Sequence, residues 1–187
     1  LPADNFSSVI ITTLPTNGVL ELSGVAVTAG QDITVADIPN LTFTPAPDAN
    51  GVAYDTFTFQ VRDDAATNNT DTTPNTMTID VTPVDDPPIL NTNATLSTFE
   101  GNTETITTAF LSSSDIDTAP ADITYTVTTP PVNGQLELTS APGVVITSFT
   151  QEDLDNGLVV YVHDNSSTTN DSFVFEVSDV TTNIGSS

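Results

Sequence analysis

The residues able to do chemistry in this sequence are nearly all of one kind. Twenty-five Asp and Glu stand against a single Arg62, with no Lys and one His163, for a formal charge of −24. Carboxylates in such number serve acid–base pairs, a hydrated surface, or a hard cation such as Ca2+, which takes about 6–8 oxygens. Acid–base pairs for glycoside cleavage can be drawn anywhere in so acidic a chain, so they carry no signal. His163 has neither a second His nor an activated nucleophile to work with. It shares its strand parity with Val159 and Tyr161 and reads as a packed side chain with one hydrogen bond. The absence of Cys removes disulfides, thiolate metal sites and cysteine nucleophiles. No enzyme is expected. Concentrated by folding, the acids repel one another, and cations from outside, as salt or as bound Ca2+, must balance them.

The same charge limits the partners. Phosphates are neutralised by basic side chains, so nucleic acid and anionic membrane surfaces are excluded. No run approaches the roughly 18 apolar residues of a membrane span, so no membrane insertion is expected. Leu1–Ile10 shows no signal pattern. With 37% hydrophobic and 14% charged residues, the composition is that of a folding chain. No Trp and three Tyr leave little for a sugar-stacking face. Asn-x-Ser/Thr acceptors at Asn5, Asn40, Asn68, Asn93, Asn165 and Asn170 suit a surface protein, although a chain rich in Asn and Thr produces them by chance.

The elements that must position these acids are strands. Ile123, Tyr125 and Val127 alternate with Thr, as do Met77, Ile79 and Val81 with Thr78 and Asp80, and Phe57, Phe59 and Val61 with Thr58 and Gln60. Successive strand side chains point to opposite faces, so each run has one apolar face and one wet face. No stretch carries a helix-length apolar stripe. Turn pairs recur about every ten residues, among them Asn17-Gly18, Asn50-Gly51, Asn133-Gly134 and Asn156-Gly157. The pattern predicts an all-β chain of antiparallel sandwiches.

It also repeats. Thr13–Leu22 returns as Thr129–Leu138, and Asp55–Asp63 as Asp171–Asp179, both 116 positions on, as Asn17 to Asn133 and Asp55 to Asp171 show. Two copies of one module are expected: residues 1–84, a stiff acidic linker at 85–88 (Asp85-Asp86-Pro87-Pro88), and residues 89–187. The first copy lacks a counterpart to the second's opening segment, Ile89 to Thr118. The second stops before a counterpart to the strand Met77–Val81. The expectation is a fragment of a longer tandem array. The alternative is a subunit that lends and borrows strands to build a homopolymer.

At this point the chain resembles a known family. Leu96 to Asp179 is similar to cadherin-like repeats of the chondroitin-sulfate-proteoglycan type. The carrying pieces include Phe99-Glu100-Gly101, Asp115-Ile116-Asp117, Asn133-Gly134-Gln135-Leu136, Ser148–Leu154, Tyr161–Asp164 and Asp171-Ser172-Phe173. The first copy resembles related tandem repeats of bacterial surface adhesins, through Asn17–Leu20, Leu41–Pro45, Tyr54–Phe59 and Val84–Pro88. The resemblance implies seven-strand Greek-key sandwiches with Ca2+ between consecutive modules. On that layout Asp85, Asp86, Asp115, Asp117 and Asp179 converge on one inter-module Ca2+ site, with Asp55 and its neighbour Asp48 as contributors from the first module. Asp63, with Asp64, and Glu100 become half-sites facing modules on either side. The linker lacks the full Asp-x-Asn-Asp-Asn run of vertebrate cadherins.

The implied role is mechanical: Ca2+-stiffened extender modules of a large secreted or cell-surface adhesin, partnered by neighbouring modules of the same or a like chain. A filament subunit is the second reading, and a loop-borne ligand site the third.

Overall fold

A computed structural model describes residues 5–67, 69–181 and 183–186, the last four by backbone alone. Asn68 lies outside the described residues. The chain divides into two compact units, Leu1–Val84 and Asp85–Ser187.

In the first unit the strands are β1 (Phe6–Thr13), β2 (Gly18–Leu22), β3 (Val25–Ala26), β4 (Asp32–Thr34), β5 (Leu41–Pro45), β6 (Gly51–Asp63) and β7 (Asn75–Val81). All pairings are antiparallel, giving one sheet ordered β4-β1-β6-β7 and one ordered β3-β2-β5. Both sheets give side chains to one core: Val9, Ile11, Ile33 and Phe57 from the first, and Leu20, with half-buried Leu41 and Phe43, from the second. A sheet with one apolar face is stable only when that face is covered, and here two such faces cover each other.

The second unit repeats this plan with β11 (Thr124–Thr129), β12 (Gly134–Leu138), β13 (Ser148–Thr150), β14 (Val159–His163), β15 (Val174–Ser178) and β16 (Asn183–Ser186). Its larger sheet runs β13-β11-β15-β16, matching β4-β1-β6-β7 place for place. The opening segment adds β8 (Ile89–Asn93), β9 (Thr103–Thr105) and β10 (Leu111–Ser114). β9 extends the sheet β12-β14-β9, and β8 and β10 pair with each other.

These strands also feed the core, since Ile106 and Leu111 lie in one buried cluster with Tyr125, Phe149, Phe175 and Val177. The effect is visible at equivalent positions: Val177 is 1% exposed, whereas Val61 is 37% exposed. Val61 was expected in the core, but the first unit shows no counterpart of the β8–β10 strands among its described residues. Met77 is likewise half exposed.

Two further features depart from the sequence reading. β16 occupies the edge that β7 takes in the first unit, so the second unit does begin a closing strand. Its Asn-Ile-Gly-Ser segment has no apolar alternation, and pairing rests on backbone hydrogen bonds at Glu176↔Ser186 and Ser178↔Asn183. A five-residue helix, α1 (Gln151–Asp155), follows β13. It is too short for an apolar stripe and is set by a capping box. The Thr150 hydroxyl accepts from the Asp153 amide at 3.1 Å, and the Asp153 carboxylate accepts from the Thr150 amide at 2.9 Å.

Candidate metal centre

Five acids named from the sequence come together in the second unit. The chain entering β8 brings Asp85 and Asp86, the loop after β10 brings Asp115 and Asp117, and the end of β15 brings Asp179. Each loop is first built by the acids themselves. The amides of Asp117 and Thr118 donate to Asp115 Oδ1 at 3.0 and 3.1 Å, and the Thr181 amide donates to Asp179 Oδ1 at 2.6 Å. A carboxylate bonding an amide two residues on closes a tight turn without help from a ladder.

The three segments are then tied across. The Asp86 amide donates to Asp117 Oδ2 at 3.2 Å. The Thr181 hydroxyl lies against Asp85 Oδ2 and 3.3 Å from Asp179 Oδ1. Thr181 was not foreseen; its only signal is the position two residues beyond a strand-ending Asp.

Electrostatically the cluster is strained. Asp117 is pushed up from the ordinary carboxylate range, first by the Asp115 carboxyl beside it, then by burial, with the charge of Asp85 adding to the effect. For Asp115, burial pushes upward, but the Asp117 and Thr118 amides outweigh it and hold the carboxyl low, while the charge of Asp179 works against it. Asp115 Oδ2 is sealed from solvent and has no hydrogen-bond partner. A carboxylate oxygen shut from solvent without a donor suits a cation. As the side chains stand, no three Asp, Glu or His among the described residues are arranged to hold a metal ion.

Each remaining candidate is described within its own unit. Both oxygens of Asp55, buried in β6, are taken by backbone amides: Thr16 at 2.9 Å, Asn17 at 2.7 Å and Thr56 at 2.8 Å. Asp171, its repeat partner, holds Val132 and Asn133 in the same way at 3.0 and 2.9 Å, and also accepts from the Tyr161 hydroxyl at 2.8 Å. These two acids tie the Asn-Gly turn to the strand beside it. Asp48 has a left-handed backbone (φ 59°) in the exposed turn before β6. Asp63 accepts from the Ala65 amide at 2.9 Å, and Asp64 binds the amide and side chain of Asn5 at 2.8 and 3.0 Å. Glu100 is exposed beside Gly101 at the opposite side of β14 from β12.

His163 is 9% exposed and packed, with Nδ1 accepting from the amides of Gly101 and Asn165 at 3.3 and 3.1 Å. A polar cluster that sequence reasoning missed lies in the core. Gln151 Oε1 accepts from the Ser113 amide at 2.7 Å and from the Tyr125 hydroxyl at 2.7 Å, and its amide group donates to Asp155 at 2.7 Å. Burial pushes the fully enclosed Tyr125 up to about 12.

Paired antiparallel sheets around a core in each unit define a repeat of all-β sandwich modules. A family model described as cadherin-like matches residues 88–185, more than half of the chain, and the chain belongs to that family. Over 94 residues, half of this chain, it is 42% identical to Extracellular matrix protein 3 of Lytechinus variegatus. Over 107 residues, 57% of this chain, it is 43% identical to human Chondroitin sulfate proteoglycan 4. Over 94 residues, again half of this chain, it is 40% identical to human Extracellular matrix organizing protein FRAS1. The matched stretches make up 3%, 4% and 2% of those relatives. No solved structure matches the chain. No helix among the described residues is long and apolar enough to cross a membrane.

Proposed function

We propose that the chain is a pair of non-catalytic structural modules of an extracellular or cell-surface protein. Ca2+ held by Asp85, Asp86, Asp115, Asp117 and Asp179 stiffens the point where the chain enters the second module. The observation that carries this reading is Asp115 Oδ2, shut from solvent without a donor, in a carboxyl that feels the charge of Asp179 and sits beside Asp117. An unsatisfied buried charge costs free energy that a divalent cation removes. The bond from Asp86 to Asp117 and the Thr181 contact with Asp85 already bring the entering segment to the two loops, so an ion there would lock three segments at once. The relatives, named for extracellular matrix and a proteoglycan, support the setting. On this reading the modules form part of a rod that projects a binding region for cell adhesion.

Thermal unfolding in excess EDTA, followed by a Ca2+ titration at constant ionic strength, tests this. The melting temperature is expected to rise once Ca2+ exceeds the dissociation constant and then to climb with the logarithm of its concentration, with about 2.7 kcal/mol of added stability at a hundredfold excess. If Ca2+ does no more than NaCl of equal ionic strength, the acids only solvate the surface and the reading fails.

A further inference from the structure

His163, the one His of the sequence, closes β14, and its backbone amide donates to the Asn102 carbonyl at 3.0 Å. Its side chain, 7% exposed, stands edge-on to the Tyr161 ring and reaches two turns at once. Nδ1 accepts from the amide of Gly101, in the turn before β9, at 3.3 Å. It also accepts from the amide of Asn165, in the turn after β14, at 3.1 Å. Both residues have left-handed backbones, at φ 74° and 67°. The turns touch, since a Cβ on Gly101 would stand 2.6 Å from Asn165 Oδ1. With Nδ1 accepting, the neutral ring carries its proton on Nε2, 3.4 Å from Thr168 Oγ1. A second proton can go only to Nδ1, where it excludes both amides.

The charges around the ring set the direction of the response. Asp164 Oδ1 lies 3.8 Å from Nδ1. Asp164 is held below the ordinary carboxylate range, first by the Ser166 hydroxyl and amide, with the charge of His163 adding to this. From the other elements come Glu104 of β9, opposite Tyr161, and Asp171, bonded to the Tyr161 hydroxyl. Glu100 lines the same cleft as His163, and β12 sets the uncharged Gly134 opposite it. Each of these carboxylates draws a proton to the ring, and the two amides oppose it.

We propose that His163 is a pH-operated latch between the turn at Gly101 and the turn at Asn165. With a neutral ring, Nδ1 holds both amides and the latch is closed. With a protonated ring, Nδ1 donates to Asp164 instead, and both amides are released. Glu100 and residues 168–171, which flank these turns, line a cleft of about 550 Å³ in the second unit, so acid loosens that part of its wall. Imidazole is the side chain whose ordinary titration falls between about pH 5 and 8. This inference rests on neither Ca2+ nor the cluster of five acids.

The test follows the amide resonances of Gly101 and Asn165 by NMR from about pH 8 to about pH 5, beside those of the His163 ring. Both amides are expected to shift with the same midpoint as the ring. Their exchange, corrected for the intrinsic rate, should speed up by roughly tenfold or more, as two lost hydrogen bonds imply. The core amides of Tyr125 and Val177 should not follow. His163→Asn keeps an acceptor near the place of Nδ1 but cannot titrate, and its Gly101 and Asn165 amides should stay fixed. Asp164→Asn leaves the ring in place and should move the midpoint to lower pH. Amides that stay fixed while the ring titrates overturn the proposal, as does an equal shift in His163→Asn. So does an unmoved midpoint in Asp164→Asn, or a ring that stays neutral until the module unfolds.

Discussion

At the residue scale, most acids of this chain are structural first. Asp171 is the clearest case: burial pushes its carboxyl up, but the Val132 amide, the Tyr161 hydroxyl and the Asn133 and Ser172 amides outweigh that and hold it below the ordinary range. A carboxyl depressed by folding stabilises the fold at pH values above its unfolded pKa. That contribution is lost as pH falls through the folded value. Asp171→Asn should therefore lower the urea midpoint at neutral pH and flatten its fall on acidification, and an unchanged acid limb would refute the role. Gly134 obeys a different constraint. A Cβ there would stand 2.5 Å from the Val162 carbonyl oxygen and 2.6 Å from the Tyr161 ring. Gly134→Ala should cost about 1–3 kcal/mol by overpacking, measured by chemical denaturation. That Asn-Gly would turn was legible in the dipeptide. That Asp171, almost forty positions on, would hold the turn was not, because a long-range hydrogen bond leaves no local pattern. The repeat did mark Asp55 and Asp171 as equivalent, and the structure shows what that equivalence is for.

At the element scale, alternation identified the strands that face a single core, and Ile123, Tyr125 and Phe175 are buried as their parity predicts. The pattern was silent where pairing rather than burial decides. β16 is four residues of backbone ladder, and β3 is two. Alternation also could not tell how thickly a face is covered, which is why Val61 reads as core and is not. The equivalent pair Val61 and Val177 measures what the β8–β10 segment contributes. Val177→Ala, in a filled core beside Ile106 and Leu111, should cost about 2–3 kcal/mol through lost transfer and a residual cavity. Val61→Ala should cost less than half of that. Denaturant titrations monitored separately for the two units, by an amide probe in each, would show it. Equal costs would mean that the opening segment adds strands without adding core.

At the scale of the whole molecule, the charge of −24 makes cations part of the stability. Two effects with different signatures are superposed. Screening is general: raising ionic strength from about 0.01 to 1 M shortens the Debye length from about 30 to 3 Å and relieves repulsion everywhere on the chain. Occupation of the Asp85, Asp86, Asp115, Asp117 and Asp179 cluster by Ca2+, the second effect on the proposed reading, would be local and selective for the ion. The convergence of these acids was legible only through the resemblance to a cadherin-like layout, since they span nearly a hundred positions, whereas Thr181 and the sealed Asp115 oxygen needed coordinates. Replacing Asp117 alone with Asn separates the two effects, because Asp115 is held low by the amides of its own loop and its loss would weaken that loop. Asp117 is raised because its charge is disfavoured in the cluster, so folding without an ion is more favourable below its folded pKa and less so above it. In EDTA at neutral pH the Asp117→Asn variant should therefore melt higher than the parent at low salt. In saturating Ca2+ the order should reverse, because the parent gains the ion and the variant does not. The crossing of the two melting curves is the diagnostic result. A variant more stable than the parent under both conditions would show that the cluster is a repulsive surface and nothing more.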